Sequence, residues 1–229
     1  MAEEERIPTW SYSALSTFEK CPFRSYLQKI KKIQEPQHPA AKRGTDIHDQ
    51  AERYVRGEIE FPKSLKKFTD SFETLRKLFE IGQVELEGDW GFTQDWEICE
   101  WRAEDVWARI KLDAMVRMDD TSARVIDYKT GRKFGNEIAH GQQALLYAIA
   151  SFIRYPELEF IRTELWSLDH AAVSEQTYTR AQAMLFYPRW VERATIMTTA
   201  TDFPPKPAKQ ACRWCSYRTS GDCDYGVDL

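Results

Sequence analysis

The sequence lacks a basic excess, a membrane-length apolar run and an internal repeat, and each absence removes a class of protein. Thirty-two lysines and arginines stand against 36 aspartates and glutamates in 229 residues, a net charge of −4. A binder that grips nucleic acid by bulk positive charge is excluded, although a local basic cleft is compatible with a net value averaged over the whole surface. The longest apolar stretch, Ala144 to Ile153, is broken by Ser151. It falls far short of the roughly 20 residues that span a bilayer. The opening Met1-Ala-Glu-Glu-Glu-Arg6 has neither the basic nor the apolar region of a signal peptide. A soluble cytoplasmic protein with no membrane association is expected. Cysteine is scarce, at five residues, and the odd count without a secretion signal argues against a disulfide framework. At 42% hydrophobic and 30% charged residues the chain can still bury a core. Its length suits one large α/β domain, or a core with an appendage.

Residues 1–10 read as a flexible acidic tail. Ser11 to Lys31 reads as a helix, with Leu15, Phe18, Phe23, Leu27 and Ile30 at helical intervals and Pro22 as an awkward element. Lys42 to Arg56 and Phe68 to Gly82 are further helical runs. The period then changes. Trp96 to Trp101 alternates loosely and Val106 to Met118 alternates well, with Ile110, Leu112, Ala114 and Val116 on one face. Asp119 to Ser122 is a turn, and Arg124 to Lys129 is the returning strand. Ile138 to Arg154 reads as a helix, Phe160 to Leu168 as a strand, and Thr179 to Thr199 as a helix that Pro188 should bend.

The chemistry concentrates in Asp127-Tyr128-Lys129. Residues i and i+2 of a strand share a face, so Asp127 and Lys129 point together while Tyr128 points away. An odd hairpin loop places Asp113 opposite Asp127, Leu112 opposite Tyr128 and Ala114 opposite Ile126. Facing carboxylates repel unless a divalent cation lies between them. A lysine at the end of that row can orient a metal-bound water, which suits phosphodiester hydrolysis. The bland alternative is a salt-bridged, solvated strand face. Glu97 and Glu100 lie on a nearby predicted strand, where a solvated face is expected, and Cys99 is expected to be a buried thiol. Cys212-Arg-Trp-Cys215 is a pair spaced for two thiolates on one metal, and Cys223 follows eight residues later. With the remote Cys21, four thiolates suit zinc or an iron–sulphur centre alike.

Ordered motifs link these parts. They are Ser11-Tyr-Ser-Ala-Leu15 leading to Cys21-Pro-Phe-Arg-Ser-Tyr26, Gly44-Thr-Asp-Ile-His48, Asp113, Asp127-Tyr-Lys129-Thr-Gly131, Gln143-Ala-Leu-Leu-Tyr147, and Cys212, Cys215 and Cys223. In that order the chain resembles the PD-(D/E)XK nucleases, specifically their RecB-like iron–sulphur branch, which includes CRISPR-adaptation nucleases and the AddB/RecB nuclease domains. Three departures stand out: Ile110 where the family often has glycine, Asp127 where glutamate is common, and a C-x7-C last spacing.

The resemblance implies a restriction-endonuclease-like fold, a mixed central sheet flanked by helices, with the termini joined through a four-cysteine metal cluster. It implies a nuclease core over residues 11–201 and a cluster segment over 202–229. His48, Asp113, Asp127 and the Tyr128 carbonyl would bind Mg²⁺ or Mn²⁺. Lys129 would align the attacking water, and Gln143 and Tyr147 would support it or the DNA backbone. Cys21, Cys212, Cys215 and Cys223 would hold a 4Fe–4S cluster. The expected activity is that of a DNA exonuclease in recombination, repair, phage replication or CRISPR adaptation, acting on single strands or DNA ends in a bacterial, archaeal or phage-infected cell. The alternative is a non-cutting DNA-end-binding module of a larger recombination complex. Homo-oligomers and recombination or CRISPR-adaptation proteins are the partners such a role implies. Basic residues between Lys20 and Arg43, and Lys206, Lys209, Arg213 and Arg218 near the cysteines, would form a basic rim. Trp214, Tyr217, Phe134 and Tyr128 are candidates for stacking on bases, though core packing is the commoner fate.

Overall fold

The computed structural model describes residues 5–36, 38–131 and 135–227. Phe134 lies outside them. Six strands form one mixed sheet: β1 (Val84–Phe92), β2 (Ile98–Cys99), β3 (Ala108–Arg117), β4 (Ser122–Lys129), β5 (Phe160–Ser167) and β6 (Ala172–Thr179). Their order is β2-β1-β3-β4-β5-β6. Only β4 and β5 are parallel among these neighbours. The connection between them is the long helix α5 (Glu137–Arg154), the crossover that parallel strands require.

Each face of the sheet carries its own apolar layer. On one face, Leu15 and Phe18 of α1 (Tyr12–Lys20), Leu146, Ile149 and Phe152 of α5, and Trp190 and Met197 of α7 (Tyr187–Thr199) pack against Trp90, Phe92, Ile110, Leu112 and Val125. On the other, Ile47 and Ala51 of α3 (Pro39–Val55) and Phe72 and Leu75 of α4 (Thr69–Glu80) cover Val84, Leu86, Ala114, Ile126 and Tyr128.

The single apolar face expected for β3 does not form. Ile110 and Leu112 belong to the first layer, whereas Ala114 and Val116 belong to the second. The change of face falls at Asp113. The β1–β3 ladder passes from Leu86 opposite Ala114 to Gly88 opposite Leu112, skipping Glu87 and Asp113. Glu87 there has φ +50°, a left-handed conformation rare for a residue with a side chain. The β3–β4 hairpin keeps the expected register, with Ala114 opposite Ile126, but its ladder ends at that pair. Leu112 and Tyr128 consequently lie on opposite faces instead of pairing.

Proline accounts for two further corrections. The helix expected over residues 11–31 is broken at Cys21, whose extended backbone (φ −160°, ψ 101°) ends α1 and precedes Pro22 at the start of α2 (Pro22–Ser25). A residue before proline is disfavoured in helical geometry. A π-helical turn, Tyr26–Ile30, continues from α2. Likewise Pro188 opens α7 instead of bending a longer helix, after a separate α6 (Arg180–Met184) that is N-capped by Thr179. Part of the segment expected as a loose tail is packed. Ile7 and Trp10 are buried, and the Trp10 carbonyl accepts from Arg109 N–H at 2.9 Å.

Helix α5, which carries two candidate site residues, is tied down at its C-terminal end by Arg180. This guanidinium donates to the carbonyls of Phe152 (2.7 Å), Tyr155 (3.0 Å), Pro156 (2.7 Å) and Leu158 (2.6 Å). Arg180→Ala should lower stability by about 2–3 kcal/mol, since several carbonyls lose a charged donor together; urea denaturation of the two proteins checks it.

Candidate active site

Beyond Ala114 and Ile126 the strands β3 and β4 part, and the site lies at that opening. The Asp113 carboxylate takes over where the ladder stops: its Oδ2 accepts the Tyr128 N–H at 2.5 Å. Its Oδ1 lies 2.9 Å from Nδ1 of His48, on α3. Gly44, one turn earlier on that helix, lets α3 approach the strand exit, because a Cβ there would come 3.1 Å from Oγ1 of Thr130. Of the G-x3-H motif, the glycine thus serves approach and the histidine supplies the ring.

Asp127 and Lys129 point toward α5, as alternation requires. Lys129 Nζ stands 2.6 Å from Asp127 Oδ2 and donates to Gln143 Oε1 at 2.7 Å. Gln143 Nε2 donates to the Tyr147 hydroxyl at 2.6 Å, and that hydroxyl donates to Asp127 Oδ1 at 3.1 Å. Four side chains from β4 and α5 therefore close a ring. The i, i+4 spacing of Gln143 and Tyr147 puts both on the helix face that meets β4.

Burial governs the electrostatics. Asp127 is 5% exposed. Desolvation lifts its carboxyl above the ordinary range and Asp113 adds to the rise, while the Lys129 ammonium opposes it. Burial is also the largest influence on His48 and disfavours its charged form. The hydrogen bond and charge of Asp113, with Asp127, outweigh that and raise the imidazole above its usual value. Burial, followed by the charge of Asp127, lifts the Tyr147 phenol well above its ordinary range, so it remains a donor.

The donors suit a hard divalent cation in kind: two carboxylates and an imidazole. Asp127 Oδ2, though close to Lys129, is buried without a well-directed hydrogen bond, so it keeps a lone pair that a cation could take. Among the described residues, however, no three His, Cys, Asp or Glu side chains converge as a ready metal-binding group. His48 and Asp113 face each other while Asp127 turns to Lys129 and Tyr147.

The remaining candidates divide. Cys21, Cys212, Cys215 and Cys223 line one cavity of about 60 Å³ with Phe23 and Tyr217. None forms a disulfide. Burial raises the Cys223 thiol first, and the charges of the other three thiols add to it. Lys20, Arg24, Lys206 and Arg218 line the same cavity. Cys99 is only half-buried and lies on β2 at the far edge of the sheet, where Glu97 and Glu100 are exposed as expected. Of the aromatic candidates, Tyr128 and Tyr217 are buried in packing and Trp214 is 73% exposed.

Two features escaped the sequence reading. Glu87, opposite Asp113 on β1, pairs with Lys111 at 2.6 Å, and burial raises its carboxyl; the alternation of Val84, Leu86 and Trp90 was the available signal for its strand. Asp169 pairs with Arg43 across 126 residues, a separation no local pattern reveals.

A family model described as the PD-(D/E)XK nuclease superfamily matches residues 9–115 and 109–220. The chain belongs to the PD-(D/E)XK nuclease superfamily. It is thus a nuclease, of a superfamily whose members act on DNA and typically use divalent metal ions such as Mg²⁺. Among solved structures, this nuclease is similar to a putative exonuclease from Eubacterium rectale, at 11% identity and a TM-score of 0.51, over 97% of this chain and 90% of that one. It is also similar to SSO0001, at 16% identity and a TM-score of 0.49, over 99% and 91%. The likeness to the first extends to the fold. A search of curated proteins finds no match. No helix among the described residues is long and apolar enough to cross a membrane.

The ring predicts its own sensitivity. Tyr147→Phe removes the donor to Asp127 and the acceptor for Gln143 while keeping the aromatic volume. It should cost about 1–3 kcal/mol of stability, the usual penalty for buried groups left without a partner, measurable as a lower denaturation midpoint.

Proposed function

We propose that this nuclease is a divalent-metal-dependent deoxyribonuclease, an exonuclease acting at DNA ends, with His48, Asp113, Asp127 and the Tyr128 carbonyl as ligands of Mg²⁺ or Mn²⁺. The observation that carries the reading is the ring of Asp127, Lys129, Gln143 and Tyr147, closed around a buried carboxylate beside the His48–Asp113 pair. A buried ion pair is weak evidence for stability, so its presence at a gap in the sheet is better explained by chemistry. The shared fold with a structure described as a putative exonuclease supports the exonucleolytic part.

A bound divalent ion supplies Lewis acidity and a water of lowered pKa. The chain's own residues do the rest. Lys129 presents an ammonium to the charge that develops on the scissile phosphate and orients the attacking water. Gln143 holds that ammonium by its Oε1, and the Tyr147 hydroxyl fixes the Asp127 carboxylate against rotation. We place the nuclease core over residues 11–201 and a cluster-bearing segment over 202–229.

We assign a structural 4Fe–4S cluster to Cys212, Cys215 and Cys223 of that segment together with Cys21 of the core, as in the RecB-like branch. Four free thiols around one cavity supply the donor set such a cluster takes. The contacts around them already run between the chain's two ends: Tyr217 OH donates to the Ile33 carbonyl at 2.7 Å, and Phe23 meets Tyr225 edge-on at 5.2 Å.

Two experiments test these assignments. End-labelled linear DNA, single- and double-stranded, and a closed circle would be incubated with the protein and Mn²⁺ or Mg²⁺. Wild type should release label from linear DNA and leave the circle intact, and Lys129→Ala should be about 10²- to 10³-fold slower. Binding of ends without cutting by either protein would establish the non-catalytic end-binding module instead. Separately, protein purified without oxygen should carry about four iron and four sulphide per chain and absorb visible light, and Cys212→Ala should lose both. Zinc without sulphide would replace the cluster assignment.

A further inference from the structure

The turn between β5 and β6 holds the chain segment that leaves the catalytic strand. Asp169 stands on this turn. Its carboxylate receives both terminal nitrogens of Arg43, at 3.0 and 2.7 Å, and the backbone N–H of Gly131 at 2.6 Å. The Asp169 carbonyl accepts from Lys67 Nζ at 2.5 Å. Its neighbours add to the grip. Leu168 N–H donates to the Lys129 carbonyl at 2.9 Å, and His170 Nε2 lies 2.8 Å from the Gly131 carbonyl.

These contacts join three pieces of chain that bear or adjoin the site. Arg43 lies on α3, immediately before the Gly44 that meets Thr130 and five residues before His48. Gly131 lies two residues beyond Lys129, and its φ of +90° fits glycine's freedom. Lys67 belongs to the short 3₁₀ helix Lys63–Phe68 that precedes α4. A single exposed ion pair contributes little. Here one carboxylate accepts three N–H groups from two separate segments, and the same turn adds a backbone bond from Leu168 on one side and a ring contact from His170 on the other.

We propose that Asp169 is a positioning residue for the nuclease reaction: it fixes the chain leaving Lys129 against helix α3, so that the Lys129 ammonium and the His48 ring keep their relative placement across the gap between Asp127 and Asp113. The inference rests on the nuclease reading of that site. Arg43 and the N–H of Gly131 could otherwise serve as a phosphate grip, with Asp169 merely standing in their way, and the two roles have opposite consequences when the carboxylate is removed. The bonds from Arg43, ahead of the Gly131 N–H, hold the Asp169 carboxyl down to about 2, so the clamp stays charged at any pH used for nuclease assays.

The test compares wild type, Asp169→Ala and Asp169→Asn in steady-state cleavage of linear DNA with Mn²⁺ and in amide hydrogen exchange without DNA. For Asp169→Ala we expect kcat to fall about 10- to 100-fold with KM changed less than about threefold, as for a catalytic group displaced by a fraction of an ångström to one ångström. Exchange at the Gly131 amide should accelerate at least about tenfold while the β1 and β3 amides keep their protection. Asp169→Asn retains an oxygen for the Gly131 N–H and should recover part of both losses. Wild-type kcat in Asp169→Ala overturns the inference, as does unchanged exchange at Gly131 or a lower KM with kcat retained, the mark of a freed phosphate grip. A wild type that cuts no DNA sinks the nuclease reading instead, and the exchange arm then still decides whether Asp169 holds the segment.

Discussion

The carboxylate of Asp113 occupies the place of a missing ladder bond, and much of the site follows from that substitution. A strand that stops pairing with its neighbour leaves backbone donors in need of acceptors. Asp113 meets the need at Tyr128 N–H with one oxygen and keeps the other for His48. Because the two strands part there, side chains from opposite faces of the sheet border one opening. His48 comes from α3 on one face, and Lys129 of β4 reaches toward Gln143 of α5 on the other. An unbroken sheet would keep them apart by its own thickness.

The same break organises the core. Strand β3 contributes Ile110 and Leu112 to one apolar layer and Ala114 and Val116 to the other. Both layers are thereby anchored to a single strand on either side of the acidic residue. Asp127 sits beside this junction with almost no exposure, and it remains tolerable there because an ammonium and a phenolic hydroxyl face its two oxygens. Burial and pairing pull its charge in opposite directions. Such a balance leaves the group responsive to any further charge brought beside it.

Much of this was legible in the sequence because the relevant signals are local. The period-2 pattern around Asp127 and Lys129 gave the right face, and i, i+4 spacing joined Gln143 to Tyr147. The hairpin register was readable from its turn. What escaped has a physical cause in each case. The change of face at Asp113 depends on Glu87 of a strand that pairs from elsewhere, so the alternation in β3 looks regular when read alone. Strand β6 is polar and exposed along most of its length, which erases the periodic signal. Pro22 and Pro188 start helices in sequences whose apolar spacing runs on across them. The Arg43–Asp169 clamp joins residues that only the completed sheet brings together.

The parallel pairing of β4 with β5 has one more effect. It obliges the chain to return across the sheet through α5, so that the helix begins beside the carboxyl ends of both strands, where ligands of α/β sheets characteristically gather. The second and third turns of that helix, and not its tip, meet the site, where Gln143 accepts from Lys129 and Tyr147 donates to Asp127. Any slide of α5 along its own axis would therefore carry both partners away from the strand together.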